Sequence, residues 1–310
     1  MDFILSRGDF DSATYRRGDI EGSALLGDPR TRLFCMTREG AFAVENNGGG
    51  LALWSSRSGA GEWPTWIEAI SPQDLWFMGH DDTGAPLVVA VVPPGDPVDD
   101  FDLHGLKWEH LMTIGADLTD PQESLVATQA TALIAWQSTT RFCSRCGGSL
   151  VSGSAGWTAS CEGCGQTEYP RMDPAMIVAV VDDRDRLLLV HNIEWVDKRM
   201  SLPAGYVDAG EIPERTVVRE IREEVGLEVE NITYLGSQPW PRPRSLMLAY
   251  RATLSERGQR EPLPDGIEVD QARFFTREEL ARAVSNGHVV LPGRTAVART
   301  IIRLWESGDL

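Results

Sequence analysis

Long apolar runs are missing from this 310-residue chain: the longest, Ala175 to Val181, is far too short to cross a bilayer. An excess of basic charge is missing too. Twenty-nine Lys and Arg stand against 46 Asp and Glu, a formal charge of −17 with a pI near 4.7. That balance argues against non-specific binding to nucleic acid or to an anionic membrane, both of which call for a surface that neutralises phosphate. An acidic protein that handles a phosphorylated substrate needs metal or local arginine to bring it in. Cysteine is scarce, at five residues, and four of these fall in two CxxC pairs. Such pairs suit a metal in a reducing compartment better than disulfides. Cys35, in the apolar stretch Leu33-Phe34-Cys35-Met36, is expected as a buried thiol. The opening Met1-Asp2-Phe3-Ile4-Leu5-Ser6-Arg7 meets charge at once and does not read as a secretory leader, so the cytoplasm is the expected compartment. The histidines His80, His104, His110, His191 and His288 show no ligand spacing and read as surface or core residues.

Acid is what the chain has in concentrated form. Residues 205–227 read GYVDAGEIPERTVVREIREEVGL. Pro213 suits a helix start and Gly226 a helix end. At 100° per residue, Glu220, Glu223 and Glu224 share an arc of about 100°, while Val217, Val218, Ile221 and Val225 occupy the neighbouring arc as a packing face. Two like charges ~4 Å apart repel by about 4 kcal/mol at an effective dielectric of ~20. Hard divalent cations such as Mg²⁺ or Mn²⁺ would turn that repulsion into coordination and could also carry phosphates. Arg219, four residues before Glu223, is placed to brace it. A solvated acidic face is the plain alternative, common in a chain this acidic.

The cysteine pairs are Cys143/Cys146 and Cys161/Cys164, fourteen residues apart. Four thiolates in two tight knuckles suit tetrahedral zinc with no position left open, hence a structural ribbon in a glycine-rich segment that has little core of its own. A redox pair and a nucleic-acid-reading ribbon are the alternatives; the paired spacing and the poverty of basic residues weigh against them.

Three parts are expected: an N-terminal α+β domain over 1–139, a zinc ribbon over 140–170 and a catalytic domain over 171–310. The first part reads as β-rich. Ala41–Val44 and Leu51–Trp54 flank a turn over 45–50, Leu75–Met78 and Pro86–Val92 flank a second, and Pro93-Pro94-Gly95-Asp96-Pro97 marks a loop. A helix follows from Pro121 to about Ser138, with Asp120 as N-cap and Leu125, Ala132, Leu133 and Trp136 on one face. Residues 141–170 read as loop-like. In the last part, strands are expected over Met176–Val181, Arg186–His191, Ser245–Thr253 and Ala272–Phe275. Helices are expected over Thr276–Ser285 and Thr295–Trp305. Mixed strands around one acidic helix imply an α/β/α sandwich.

The stretch 205–227 matches the complete signature of the Nudix hydrolases, with every fixed position filled. Ser237-Gln238-Pro239-Trp240-Pro241-Arg242-Pro243-Arg244-Ser245 resembles the SQPWPFPxS element of the family's NADH pyrophosphatase branch, and the order of ribbon, Tyr169-Pro170-Arg171, signature and this element matches too. The resemblance covers residues 140–310 well and the first third by position and length alone. It implies a Nudix α/β/α sandwich with a four-cysteine zinc ribbon and a β-rich α+β N-terminal domain. It also implies hydrolysis of NADH or NAD⁺ to a nicotinamide mononucleotide and AMP, extending to removal of NAD caps from RNA 5′ ends. Carried over residue by residue, Glu220, Glu223 and Glu224 are catalytic. The Ala204 carbonyl, Glu220, Glu224 and Glu268 hold Mg²⁺ or Mn²⁺. Cys143, Cys146, Cys161 and Cys164 hold zinc. Tyr169, the Gln238–Ser245 loop and Ala298 meet substrate. A homodimer is implied as well, with no membrane partner. In the loop, the prolines fix φ and Trp240 offers an aromatic face, while Gln238 and Ser245 offer hydrogen-bonding groups. Two positions depart from the pattern: Arg242 stands in place of the usual phenylalanine, and Gly156 where some relatives carry a glutamate that meets substrate. Another nucleoside diphosphate derivative such as ADP-ribose, or a non-catalytic dinucleotide sensor, remains an alternative.

Overall fold

The structure is a computed structural model that describes residues 3–20, 22–45, 50–54, 63, 67, 70–92 and 106–310. Residues 46–49 of the expected turn over 45–50, the Pro93–Pro97 loop and His104 lie outside the described residues. The chain divides into two compact units. One takes Asp173–Trp240, Ser245–Leu310 and the described residues of Met1–Ser6; the other takes the described residues of Arg7–Met172 together with Pro241–Arg244.

In the second of these units, six strands form one mixed sheet: β1 (Arg32–Thr37), β2 (Ala41–Glu45), β3 (Leu53–Trp54), β4 (Leu75–His80), β5 (Pro86–Val92) and β6 (Leu106–His110). Their order is β4-β5-β1-β2-β6, with β3 on β1 and with β1 and β5 parallel. All of β5 is buried, as a continuous Val- and Leu-rich run in a central strand should be. The sequence reading missed β1 and β6. Cys35 lies on β1, fully buried, and that burial pushes its thiol well above the usual range. Helix α1 (Pro121–Thr139) begins as expected, with the Asp120 carboxylate accepting from the Gln122 N–H at 2.8 Å. Its buried face is broader than foreseen: Val126, Ala127, Ala130 and Ile134 are buried with Leu133 and Trp136, while Leu125 and Ala132 are half-buried. The ribbon is more than loop. Strands β7 (Leu150–Gly153), β8 (Thr158–Cys161) and β9 (Thr167–Glu168) form a three-stranded sheet. Gly156 has φ +95°, and a Cβ there would run into the Trp76 ring, so this departure from the family pattern is a packing requirement.

The other unit is the expected sandwich. Strands β10 (Asp173–Val181), β11 (Leu187–Asn192), β12 (Ala204–Tyr206), β13 (Val229–Trp240), β14 (Ser245–Leu254) and β15 (Val269–Phe275) are joined by helices α2 (Pro213–Val225), α3 (Arg277–Ser285) and α4 (Val297–Ser307). The sheet order is β13-β14-β10-β11-β15, with β12 on β10 and with β10 and β14 parallel. Alternation along β10 divides the core. Ile177, Ala179 and Val181 pack with Leu280 of α3 and Val297, Ile301 and Trp305 of α4. Met176, Val178 and Val180 pack with Val217, Ile221 and Val225 of α2. Phe3 also belongs to the α4 side and is fully buried.

Several bounds shift. Strand β15 starts at Val269, ahead of the expected Ala272. Helix α4 starts at Val297 because Thr295 lends its carbonyl to Gln238. Most of β13 went unread: Pro239 lacks an N–H, and two register shifts break its alternation. A proline is tolerated there because β13 is an edge strand.

Candidate active site

Helix α2 carries the acid cluster. It runs from Pro213 to Gly226, which closes it in the left-handed region at φ +67°. Val217, Ile221 and Val225 are fully buried, but Val218 is 38% exposed and does not share the packing face assigned to it. The buried position next to that face goes to Glu224, at 6% exposure.

Arg219 organises the cluster. Its Nε and Nη2 donate to Glu211 at 3.1 and 2.9 Å, and Nη2 also donates to the Tyr206 carbonyl at 3.0 Å. Its Nη1 reaches Glu220 at 2.9 Å and Glu223 at 3.2 Å. The expected brace on Glu223 is therefore present, but the main anchor is Glu211. There the Arg219 bonds, with help from the Thr216 hydroxyl, hold the carboxyl down to about 2. At Gly205 an added Cβ would overlap the Glu220 carboxylate, so the first position of the signature requires glycine.

Glu224 is the unusual group. Its Oε2 is buried without a hydrogen-bond partner. Burial, followed by repulsion from Glu220, Glu268, Asp265 and Glu223, pushes its carboxyl up to about 8. Burial also raises Glu220. An orphaned carboxylate oxygen facing further carboxylates is a donor set that a hard divalent cation satisfies. Among the described residues only the four cysteines gather all their ligand atoms within 4.8 Å; the glutamates stay further apart, with Glu220 and Glu223 drawn to Arg219.

Ala204 is exposed at the start of β12 and pairs with Ile177 of β10. Glu268 is exposed just before β15. Asp265 escaped the sequence reading. Its carboxylate accepts from the N–H groups of Ile267, Glu268 and Val269, and its own N–H donates to the Glu224 carbonyl at 3.0 Å. This aspartate turn fixes the backbone of Glu268, and Asp265-Gly266, with Gly266 at φ +69°, was the available signal.

Beside β12 lies a cavity of about 170 Å³ whose wall includes Ile177, Trp195, Arg199, Trp240, Met247 and Ala298. The expectations for Trp240 and Ala298 place them here together. Trp195 and Arg199 were not singled out, since no local pattern marks them. Ser245 is buried, and its hydroxyl lies 3.2 Å from the Tyr206 hydroxyl. Pro239 is half-buried on β13.

Gln238 is a correction. It is fully buried, its Oε1 accepts from the Leu5 N–H at 3.1 Å, and its Nε2 donates to the Thr295 carbonyl at 3.0 Å. Its amide is taken up inside the protein and is not offered to a ligand. Tyr169, 64% exposed, and Pro241, Arg242, Pro243 and Arg244 are grouped with the other compact unit, so the structure does not gather them with the carboxylates in one unit. Arg242 donates there to the Glu39 carbonyl.

The cysteines fit zinc. Cys143 and Cys164 sulfurs are 3.7 Å apart and those of Cys146 and Cys161 are 3.4 Å apart. Four thiolates at about 2.3 Å from zinc make a tetrahedron with edges of about 3.8 Å. The N–H groups of Arg145 and Gly148 donate to the Cys143 and Cys146 sulfurs, each at 3.4 Å, as knuckle turns do.

The fold is an α/β/α sandwich carrying a carboxylate cluster, and the four-cysteine ribbon is a separate structural zinc site. Residues 171–292 match the family model described as the NUDIX domain, and residues 138–169 match the one described as the NADH pyrophosphatase zinc ribbon domain. The NAD-capped RNA hydrolase NudC of Mycobacterium tuberculosis (strain H37Rv) is 34% identical over 98% of this chain and 95% of its own. A protein of the same name from Stutzerimonas stutzeri is 35% identical over 68% of this chain and 74% of its own. A solved NUDIX hydrolase from Nitrosomonas europaea aligns at 23% identity over 49% of this chain and 97% of that one, with a TM-score of 0.36. This chain belongs to the Nudix family, in the branch that carries the NADH pyrophosphatase zinc ribbon.

Proposed function

We propose that this enzyme hydrolyses the pyrophosphate bond of NADH or NAD⁺, giving nicotinamide mononucleotide and AMP, and that it removes NAD caps from RNA 5′ ends. The observation that carries the reading is the orphaned, buried Glu224 carboxylate, with Glu220, Glu223 and Glu268 as charged neighbours. Ile177, the strand partner of Ala204, lines a cavity with two tryptophans. The names of the relatives point to the same substrate.

Glu220, Glu224, Glu268 and the Ala204 carbonyl would hold the cation. Their all-oxygen donor set favours Mg²⁺ or Mn²⁺. Such an ion, when bound, neutralises phosphate charge and lowers the pKa of an attacking water. Arg219 holds Glu220 and Glu223 at fixed rotamers while Glu211 absorbs most of its charge. Glu224 or Glu223 takes the proton of the attacking water. Water adds across the P–O–P link, its oxygen going to one phosphorus while the bridging oxygen leaves with the other phosphate. The cavity receives the ring end of the dinucleotide, between aromatic faces and the Ile177, Met247 and Ala298 side chains.

The reading extends to a homodimer, which rests on the family resemblance. It also extends to the cytoplasm, which rests on cysteines that form no disulfide, four of them arranged for zinc. Among the described residues no helix is long and apolar enough to cross a membrane. Mass spectrometry of the products after incubation with NADH and Mg²⁺ in H₂¹⁸O tests the reaction. One ¹⁸O in one of the two product mononucleotides and none in the other is expected, and intact NADH beside cleaved ADP-ribose would refute the substrate assignment.

A further inference from the structure

Among the described residues, Arg199 is the one charged side chain on the wall of the cavity beside β12. Its guanidinium lies 5.3 Å from the centre of the Trp195 ring, and among the described residues it meets no carboxylate. Arg186, Arg219, Arg273 and Arg277 of the same unit are each paired with Asp or Glu. Acids outnumber bases 46 to 29 along the chain, so the missing partner is not a matter of supply. The rest of the wall is aromatic and aliphatic, apart from the buried Ser201. Two tryptophans beside a half-buried, unpaired cation make a receptor for a flat ring that carries negative charge at its edge.

We propose that Arg199 is a specificity-determining residue that makes the cavity select a heteroaromatic ring bearing a carboxylate over the same ring bearing a carboxamide. This rests on the reading that the ring end of a dinucleotide enters the cavity. A guanidinium offers two parallel N–H donors that match both oxygens of a carboxylate, and charge assistance roughly doubles the strength of each bond. A carboxamide offers one oxygen and turns its NH₂ toward a group that has no acceptor. The hydrolysed bond and its products on the phosphate side stay the same; only the partner of AMP changes.

The test compares kcat/KM for NAD⁺ and for its nicotinic acid analogue, using the full zinc-loaded chain with Mg²⁺. Arg199→Met and Arg199→Lys are measured beside the wild type, and circular dichroism confirms the fold of each. The wild type should favour the carboxylate ring by tenfold or more, chiefly through KM. R199M should bring the ratio to about one, with R199K in between. A wild-type ratio of one or below, or a ratio that R199M leaves unchanged, overturns the proposal while leaving the dinucleotide reading intact. Failure to cleave either dinucleotide while ADP-ribose is cleaved overturns both.

Discussion

Replacing Glu224 by Gln should trade activity for stability, and the trade should depend on pH. In the folded protein burial and neighbouring acids hold the Glu224 carboxyl up to about 8, against an ordinary value near 4.5. Between those limits the folded chain keeps a proton that the unfolded chain has released. Stability of the magnesium-free protein therefore falls as pH rises through this window, at about 1.4 kcal/mol per unit. From pH 5 to pH 8 the loss from this group is roughly 3–4 kcal/mol. Gln binds no proton, so the variant lacks that slope. Its amide does sit where Oε2 has no partner, a pH-independent cost of about 1–3 kcal/mol. Comparing slopes between the two proteins removes that constant. Urea unfolding followed by tryptophan fluorescence, in magnesium-free buffer at pH 5 and pH 8, reads both. Excess Mg²⁺ should then restore the wild type at pH 8 and leave E224Q almost unmoved, while kcat of the variant falls at least about 100-fold, more than 2.7 kcal/mol of barrier. Equal pH slopes in the two proteins, or equal stabilisation by Mg²⁺, would refute the buried, cation-seeking carboxylate.

Gly205→Ala should lower kcat at least tenfold with the fold retained, because the added methyl displaces the Glu220 carboxylate; full activity would mean that this carboxylate need not be held where it is. Cys161→Ser should reduce bound zinc below one per chain and lower the melting temperature, since a ribbon held by its metal loses folding free energy with it; metal content by mass spectrometry decides. Gln238→Leu should cost roughly 2–4 kcal/mol in urea unfolding, because it leaves the buried Leu5 N–H and Thr295 carbonyl unpaired. A shift below 0.5 kcal/mol would remove Gln238 from the structural role assigned to it.

What could be read in the sequence was what is local. The signature helix, its glycine stop, the cysteine knuckles and the Asp120 cap each depend on partners within a few residues, and each appears where expected. Gln238 was misread because its partners stand 233 and 57 positions away. Val218 was misread because helical periodicity does not say where a packing arc stops and Glu224 takes its place. Strand β13 hid behind Pro239 and two bulges, whose tolerance depends on its edge position. Trp195 and Arg199 gave no local signal: the parallel bridge from Arg199 to Val290 is a long-range contact.

Phe3 and Leu5 are synthesised well before Asp173, yet both are fully buried in the unit whose other residues begin there. The amide that ties down Leu5 also holds Thr295, which is made far later. Two apolar side chains must therefore wait in an open state until the strands from Asp173 onward have been made, an interval in which a nascent chain is exposed to aggregation. Order of synthesis and order of assembly differ here, and the catalytic half closes on a segment made well before the rest of it.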